Sequence, residues 1–229
     1  MKRFIIDTTG KKIGIGFFEN GETLFKNYFS FDTTYNKVIF DLIKEALKKA
    51  KLKISDFDLF IATSGPGSFT GIRLGISIIK AFSYATNKAV AGISILDVMA
   101  EMAGNEGDTI MPALDAKRGE VYTAKYVKNK RFSYNIMKLD KFIFSVKNEK
   151  AIGVFFKDDN NLVENVKKNC KIKIKLIDEI DLAVINKIFE KGRNVKSHEL
   201  IPLYIRETDA ETNLKKKVML HIWNQKLSL

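Results

Sequence analysis

The stretch DLFIATSGPGSFTGIRLGISIIKAFSY, residues 58–84, decides the fold of this chain. The apolar run Leu59–Ala62 lies within residues 58–63, a segment of the length of a buried strand, and residues 70–84 place apolar side chains at helical spacing. Between them, SGPGSFTGIRLG (64–75) contains four glycines and one proline. A strand, a glycine-rich turn and a helix in this order predict an α/β fold, and such turns often bind phosphate at the helix N-terminus.

The spacing of the glycines does not fit either standard phosphate-binding loop. A Walker A loop continues from its last glycine with Lys-Ser/Thr, whereas Gly71 is followed by Ile72-Arg73; the dinucleotide fingerprint G-x-G-x-x-G is one residue shorter than the spacing found here. The glycines continue into the helix, where Gly75 costs about 1 kcal/mol relative to alanine. Glycines on one helix face allow another backbone to approach closely. Two interpretations stay open: a helix–helix interface, within the protein or with a partner, and tight internal packing on the sheet.

The surrounding segments predict three consecutive strands, after which helices and strands alternate. The second and third strands are joined by Asn20-Gly21, a strong hairpin signal because both central residues of a type I′ turn need positive φ. The predicted elements are strands 3–7, 12–18 and 22–29, helix 38–50, strand 58–63, helix 70–84, strand 89–93, helix 95–103 and strand 109–114.

This order is that of the ribonuclease H-like fold, which also builds each half of actin-like (ASKHA) sugar kinases and chaperone ATPases. Shifting the chain by 108 places Asp7 on Asp115, each at the end of an apolar strand, and places the hairpin turn 20–21 on 128–129. We therefore predict two related lobes, 1–108 and 109–229, with the partner or dimer interface in the first. Beyond about residue 135 the pattern weakens into short Lys-rich segments, with one clear helix at 181–191, so we expect the C-terminal lobe to be reduced.

Composition limits the classes of function. The chain is 45% apolar and 29% charged, and it has one cysteine and two distant histidines, which exclude an internal disulfide and a paired His/Cys metal site. No secretory signal and no run of about 20 apolar residues are visible, so we expect a soluble cytoplasmic protein that does not enter a membrane. The net charge is +12, of which +10 lies in residues 115–229. Because this excess is mostly lysine, we favour a solvated surface over direct RNA contact.

Two acidic residues are candidates for chemistry. Asp7 and Asp115 each end a strand before a hairpin, where this fold places metal–phosphate or catalytic carboxylates. An equally weighted interpretation is that each caps its own turn.

Four motifs make the chain resemble the TsaB (YeaZ) family: IDTT (6–9), GPGSFTGIRLG (65–75), ALDAKRGEVY (113–122) and PLYIR (202–206). The resemblance is good over about residues 1–126 and weak elsewhere, apart from the last motif. It implies a two-lobed actin-like protein without catalysis of its own. Such a subunit binds and activates the paralogue TsaD, acts with TsaE, and contributes to N6-threonylcarbamoylation of the adenosine next to the anticodon of ANN-decoding tRNA. It also implies a homodimer when the protein is alone, and contact with tRNA through the complex.

The resemblance further implies which residues act. The interface comes from the two N-lobe helices, here about 34–50 and 71–84, and the candidate interface residues are Val38, Leu42, Phe69, Gly71, Arg73, Leu74, Gly75, Ile76, Ile79 and Lys80. A vestigial or shared nucleotide site would contain Asp7, Thr8, Thr9, Asp115 and Arg118. We expect no cofactor of the chain's own and no metal; ATP or ADP would lie at the interface with partners. The historical glycoprotease label does not fit, because the His-x-x-x-His pair of the catalytic relatives is missing from the sequence.

Two alternatives to the scaffold remain. One is an actin-like, magnesium-dependent ATPase or kinase acting through Asp7 and Asp115. The other is an RNA-binding module that uses the basic second half.

Overall fold

The computed structural model describes residues 1–30, 38–104, 109–190 and 200–206. In chain order the strands are β1 (Lys2–Asp7), β2 (Lys12–Glu19), β3 (Glu22–Ser30), β4 (Leu59–Gly65), β5 (Ala89–Ser94), β6 (Thr109–Asp115), β7 (Glu120–Val127), β8 (Lys130–Lys138), β9 (Ile152–Phe156) and β10 (Ile174–Ile177). The helices are α1 (Ile39–Ala50), α2 (Phe69–Thr86), α3 (Ile95–Ala103), α4 (Leu139–Asn148), α5 (Asn160–Asn169) and α6 (Leu182–Glu190). None of these helices is long and apolar enough to cross a membrane.

The two predicted hairpins form at the predicted offset. Asn20 and Gly21 have φ values of 47° and 88°, and Lys128 and Asn129 have φ values of 47° and 63°. Both pairs lie in the left-handed region that a type I′ turn requires. The two hairpins therefore confirm the internal repeat.

Each lobe contains one five-stranded mixed sheet with the same connectivity. The strand order is β3-β2-β1-β4-β5 in the first sheet and β8-β7-β6-β9-β10 in the second. In both, the first three strands are antiparallel and the fourth and fifth pair in parallel. The expectation of a reduced second lobe needs correction, because its sheet keeps all five strands. Only β9 and β10 are short, with five and four residues.

The described helices and sheets form layers, in which some helices lie between the two sheets and others cover an outer face. The alternation of β1 sends Phe4 and Ile6 to a core shared with α1 and α2, and sends Ile5 to a core shared with α3, α6 and the second sheet. A third core joins α4 and α5 to the opposite face of the second sheet. Thus α3 and α6 lie between the two sheets, while α1 and α2 form an outer layer on the first lobe.

The end of the described chain returns to the first lobe. Helix α6 packs on β1 and β2, where Leu182 lies 3.2 Å from the position that a Cβ on Gly14 would take and Asn186 accepts a hydrogen bond from Arg3 (3.0 Å). Leu200 packs into the α1/α2 core, and the Leu203 amide donates to the Ser64 carbonyl at 2.7 Å. Segments after residue 181 therefore pack on the first lobe, although the sequence assigns them to the second. The predicted lobe boundary at 108/109 stays a prediction.

A polar cluster joins the lobes. Asp97 on α3 has a side chain only 10% exposed and accepts hydrogen bonds from Tyr126 (2.5 Å), Tyr134 (2.8 Å) and Arg131 (2.9 Å) of the second lobe. Burial, and next the negative charge of Asp97, raises the pKa of both tyrosines, so they stay protonated as donors.

We expect Asp97→Ala to lower the free energy of unfolding by about 2 kcal/mol, because the hydroxyls of the buried Tyr126 and the half-buried Tyr134 lose their acceptor. The control is Glu149→Ala, which breaks only the surface pair with Lys125 and should change stability by less than about 1 kcal/mol. Urea unfolding followed by circular dichroism measures both variants. Equal losses for the two would show that the lobe contact contributes no more than a surface ion pair.

Candidate functional site

The glycine-rich turn packs on the β1–β2 loop of its own lobe. The Ser68 amide donates to the Thr9 carbonyl (2.8 Å), and the Thr8 hydroxyl donates to the Gly71 carbonyl (2.6 Å). A Cβ at Gly71 would overlap the Thr8 carbonyl oxygen, and one at Gly75 would lie 2.5 Å from the Thr8 hydroxyl oxygen. These glycines allow α2 to approach that loop, which is the internal-packing interpretation of the sequence.

The ten predicted interface residues separate by exposure. Gly71, Gly75, Ile76 and Ile79 are buried inside the first lobe. This corrects their assignment to a partner surface, because residues enclosed by their own fold are not accessible to a partner. The remaining six are exposed or half-buried, and their interface role stays a prediction: Val38, Leu42, Phe69, Arg73, Leu74 and Lys80.

Asp7 and Asp115 each cap the turn that follows their strand. One oxygen of the buried Asp7 accepts from the Thr9 amide (3.0 Å), the Thr9 hydroxyl (2.6 Å) and the Thr63 hydroxyl (2.6 Å). Asp115 repeats the pattern, accepting from the Lys117 amide and ammonium, both at 2.7 Å. The hydrogen bonds from Lys117 hold the pKa of Asp115 below its usual value despite partial burial, which by itself would raise it. The turn-capping interpretation therefore accounts for both carboxylates.

We expect Asp7→Asn to lower the free energy of unfolding by about 1–2 kcal/mol, because charge-assisted hydrogen bonds become neutral ones. The matched change Asp115→Asn should have a smaller effect, since Asp115 is exposed. Thermal unfolding of the two variants checks the difference. An Asp7→Asn protein as stable as the original would mean that the Asp7 charge does not support this turn.

The two caps lie in the cleft between the lobes, which has a volume of about 700 Å³. Lysines of the first lobe reach acids of the second across this cleft, with Lys11–Asp158 and Lys12–Glu179 distances of 2.8 Å each. The described lining contains six acids and three lysines, and each lysine is paired with one of those acids. Burial raises the pKa of Asp159, and the neighbouring Asp158 and Asp115 add to this. The excess of carboxylates disfavours binding of nucleotide phosphates here.

A second, smaller groove of about 300 Å³ was not predicted from the sequence. It forms where three of the four motifs meet: the glycine turn with the start of α2, the β6–β7 turn, and residues 202–206. Its described lining includes Phe69, Arg118, Tyr122, Tyr204 and Arg206. No single segment carries this combination, so only folding brings it together.

Two lobes of one topology, facing each other across a cleft, define the class of the protein as actin-like (ASKHA). A solved structure of YeaZ from Pseudomonas aeruginosa has the same fold, with a TM-score of 0.69 at 18% identity over 89% of this chain and 99% of that one.

In sequence the chain is similar to proteins of the TsaB (YeaZ) family. The model for "TsaD: tRNA N6-adenosine threonylcarbamoyltransferase" matches residues 32–143. Proteins described as tRNA threonylcarbamoyladenosine biosynthesis protein TsaB align from two Buchnera aphidicola strains and from Escherichia coli. The protein from the Schizaphis graminum strain of Buchnera aphidicola is 36% identical over 40% of this chain and 44% of the relative. The protein from the Acyrthosiphon pisum strain is 31% identical over 57% of this chain and 65% of the relative. The Escherichia coli protein is 28% identical over 55% of each. The chain thus spans about half the length of the curated relatives it matches.

Proposed function

We propose that this chain is a non-catalytic partner subunit that binds and activates TsaD, with TsaE, for N6-threonylcarbamoylation of tRNA in the cytoplasm. The observation that carries the proposal is the outer face of α1 and α2. Tyr84 on α2 is 93% exposed, Phe40 on α1 is 58% exposed and Phe69 at the start of α2 is 47% exposed. Large aromatic side chains are enriched among the residues that dominate protein–protein binding energy.

The chemistry of this face suits a helical partner. Between Arg73 and Tyr84, the exposed positions of α2 include Ser77 and Ala81, with Ala85 one turn further. Small residues on an exposed helix face let a second helix approach closely. Leu42 and Leu74 are half-buried and extend the apolar surface toward the core. The same face can pair with a second copy of the chain, so we expect a homodimer that competes with TsaD binding.

The interior of the cleft supports a role without chemistry of its own. Asp7 and Asp115 are engaged in turn caps, and Lys11 and Lys12 bridge the lobes. An ATPase acting through Asp7 and Asp115 would need those carboxylates for magnesium instead. We therefore place any ATP or ADP at an interface with partners rather than in this cleft, and contact with tRNA in the assembled complex.

The test is to mix the purified chain with purified TsaD and to measure mass by light scattering during size-exclusion chromatography. We expect a heterodimer that replaces the homodimer, and tRNA modification that requires both proteins together with TsaE and threonylcarbamoyl-adenylate. ATP hydrolysis by the chain alone, abolished by Asp7→Asn, would instead support the enzyme alternative.

A further inference from the structure

Residues 200–206, which include the last of the four sequence motifs, run from the first lobe to the second. The Leu203 amide donates a hydrogen bond to the carbonyl of Ser64, near the end of β4 in the first lobe, at 2.7 Å. Three residues later, Arg206 pairs with Glu120, the first residue of β7 in the second lobe. The two residues between these contacts are therefore held on both sides.

Tyr204, one of these two residues, connects the segment to helix α2. The centre of its ring lies 5.8 Å from that of Phe69, and its hydroxyl accepts a hydrogen bond from Nε of Arg73 at 3.0 Å. The guanidinium carbon of Arg73 lies 3.7 Å from the centre of the Phe69 ring. Arg73 thus contacts a ring of its own helix and a hydroxyl group from a distant segment. These two contacts together fix the direction of its guanidinium group.

The Phe69–Arg73 pair lies at the beginning of the exposed stripe of α2. Residues four apart on a helix lie on the same side. Ser77 and Ala81 continue the stripe at that interval after Arg73, and Tyr84 lies one turn later; all of these residues are exposed. The pair held by the distant segment is therefore continuous with the face to which we assign TsaD.

The arrangement of Arg73 has the properties of a binding residue that is ordered in advance. A partner that binds a mobile arginine must restrict its rotamers, whereas a side chain already restricted by its own fold loses less conformational entropy. A guanidinium group presents planar donors that match the carbonyl or carboxylate oxygens of a protein partner. Arginine and tyrosine are also enriched among the residues that dominate protein–protein binding energy.

We propose that Tyr204 is a positioning residue for TsaD binding, which holds Arg73 against Phe69 in the orientation that Arg73 takes in the complex. The inference rests on the proposed function for the identity of the partner. It adds a segment from the end of the described chain to a surface that α1 and α2 otherwise form. The alternative is that the three side chains only cover the start of α2 and take no part in binding.

A double-mutant cycle tests this role on the full chain. Tyr204→Phe keeps the ring beside Phe69 and removes only the hydroxyl that Arg73 contacts, and Arg73→Ala removes the group to be positioned. Titration calorimetry gives the dissociation constant of purified TsaD for the original chain, the two single variants and the double variant. Because Tyr204 is 49% exposed and Arg73 is exposed, we expect the thermal midpoints of all four proteins to agree.

We expect TsaD binding to weaken about fivefold in Tyr204→Phe and about tenfold in Arg73→Ala. In the Arg73→Ala background, which is the matched control, Tyr204→Phe should change the affinity by no more than about 1.5-fold, because no guanidinium group remains to be held.

Two results would overturn the inference and leave the proposed function standing, provided that Tyr84→Glu still weakens TsaD binding. The first is equal affinity of Tyr204→Phe and the original chain. The second is a loss of the same size in the presence and absence of Arg73, which would mean that the Tyr204 hydroxyl acts independently of Arg73. If TsaD did not bind the original chain, the proposed function would fail and this inference would fail with it.

Discussion

Gly71→Ala is expected to lower the free energy of unfolding by about 3 kcal/mol or more. The added methyl group would overlap the Thr8 carbonyl oxygen, which is a backbone atom and has no rotamer to adopt. The loop has little freedom to retreat, because the Thr9 carbonyl accepts from Ser68 and the Thr8 hydroxyl donates to the Gly71 carbonyl. Relief therefore requires α2 to move away from the sheet.

Gly10→Ala is the matched control, since a Cβ at Gly10 would meet no heavy atom within 4 Å. Gly10 precedes β2 in the loop that Gly71 contacts. Both variants therefore add one methyl group in the same region, but only the Gly71 variant lacks space for it. We expect Gly10→Ala to change stability by less than about 1 kcal/mol in urea unfolding. A Gly71→Ala protein of unchanged stability that had lost TsaD binding would contradict internal packing and restore the interface interpretation of this glycine.

The glycine stretch shows what sequence alone can decide. Its spacing excluded both standard phosphate loops, and its position between β4 and α2 was predicted within two residues at each end. Whether Gly71 and Gly75 face a partner or their own lobe could not be predicted. The backbone that approaches them belongs to Thr8, 63 residues before Gly71, and local periodicity carries no information about contacts at that separation.

In the second lobe, too, the sequence predicted only some of the elements. The offset of 108 predicted β6, β7 and the turn at 128–129, because these elements keep the apolar pattern of the first lobe. It missed α4, β9, α5 and β10. The lysines of α5 occupy exposed positions and dilute the apolar signal, while β9 and β10 are too short to show alternation. The smaller groove was not predicted, because its residues come from three distant segments. The available signal in the sequence was that arginine is rare in this Lys-rich chain, and two of its six arginines line this groove.

Tyr84→Glu is expected to weaken TsaD binding at least about 100-fold, or about 2.7 kcal/mol. Tyr84 is the most exposed large apolar residue of the described chain and lies on α2 next to Lys80 and Ala81. A carboxylate buried in a helix–helix contact would be desolvated without a partner, and a few aromatic residues commonly contribute most of the binding energy. The fold should be unaffected, since the side chain is solvated in the isolated chain.

Phe144→Glu provides the control, because Phe144 is an aromatic residue on α4, 66% exposed, in the outer layer of the other lobe. Both variants exchange a large exposed ring for the same charge. Only one of them lies on the face that we assign to TsaD.

The most direct test of the scaffold proposal is the dissociation constant of TsaD for these two variants and the original chain, measured by titration calorimetry on samples with equal thermal midpoints. We predict a loss of at least about 100-fold for Tyr84→Glu and a value within about twofold of the original for Phe144→Glu. Equal affinities for all three proteins, or a loss confined to Phe144→Glu, would contradict the assignment of the α1/α2 face as the binding surface.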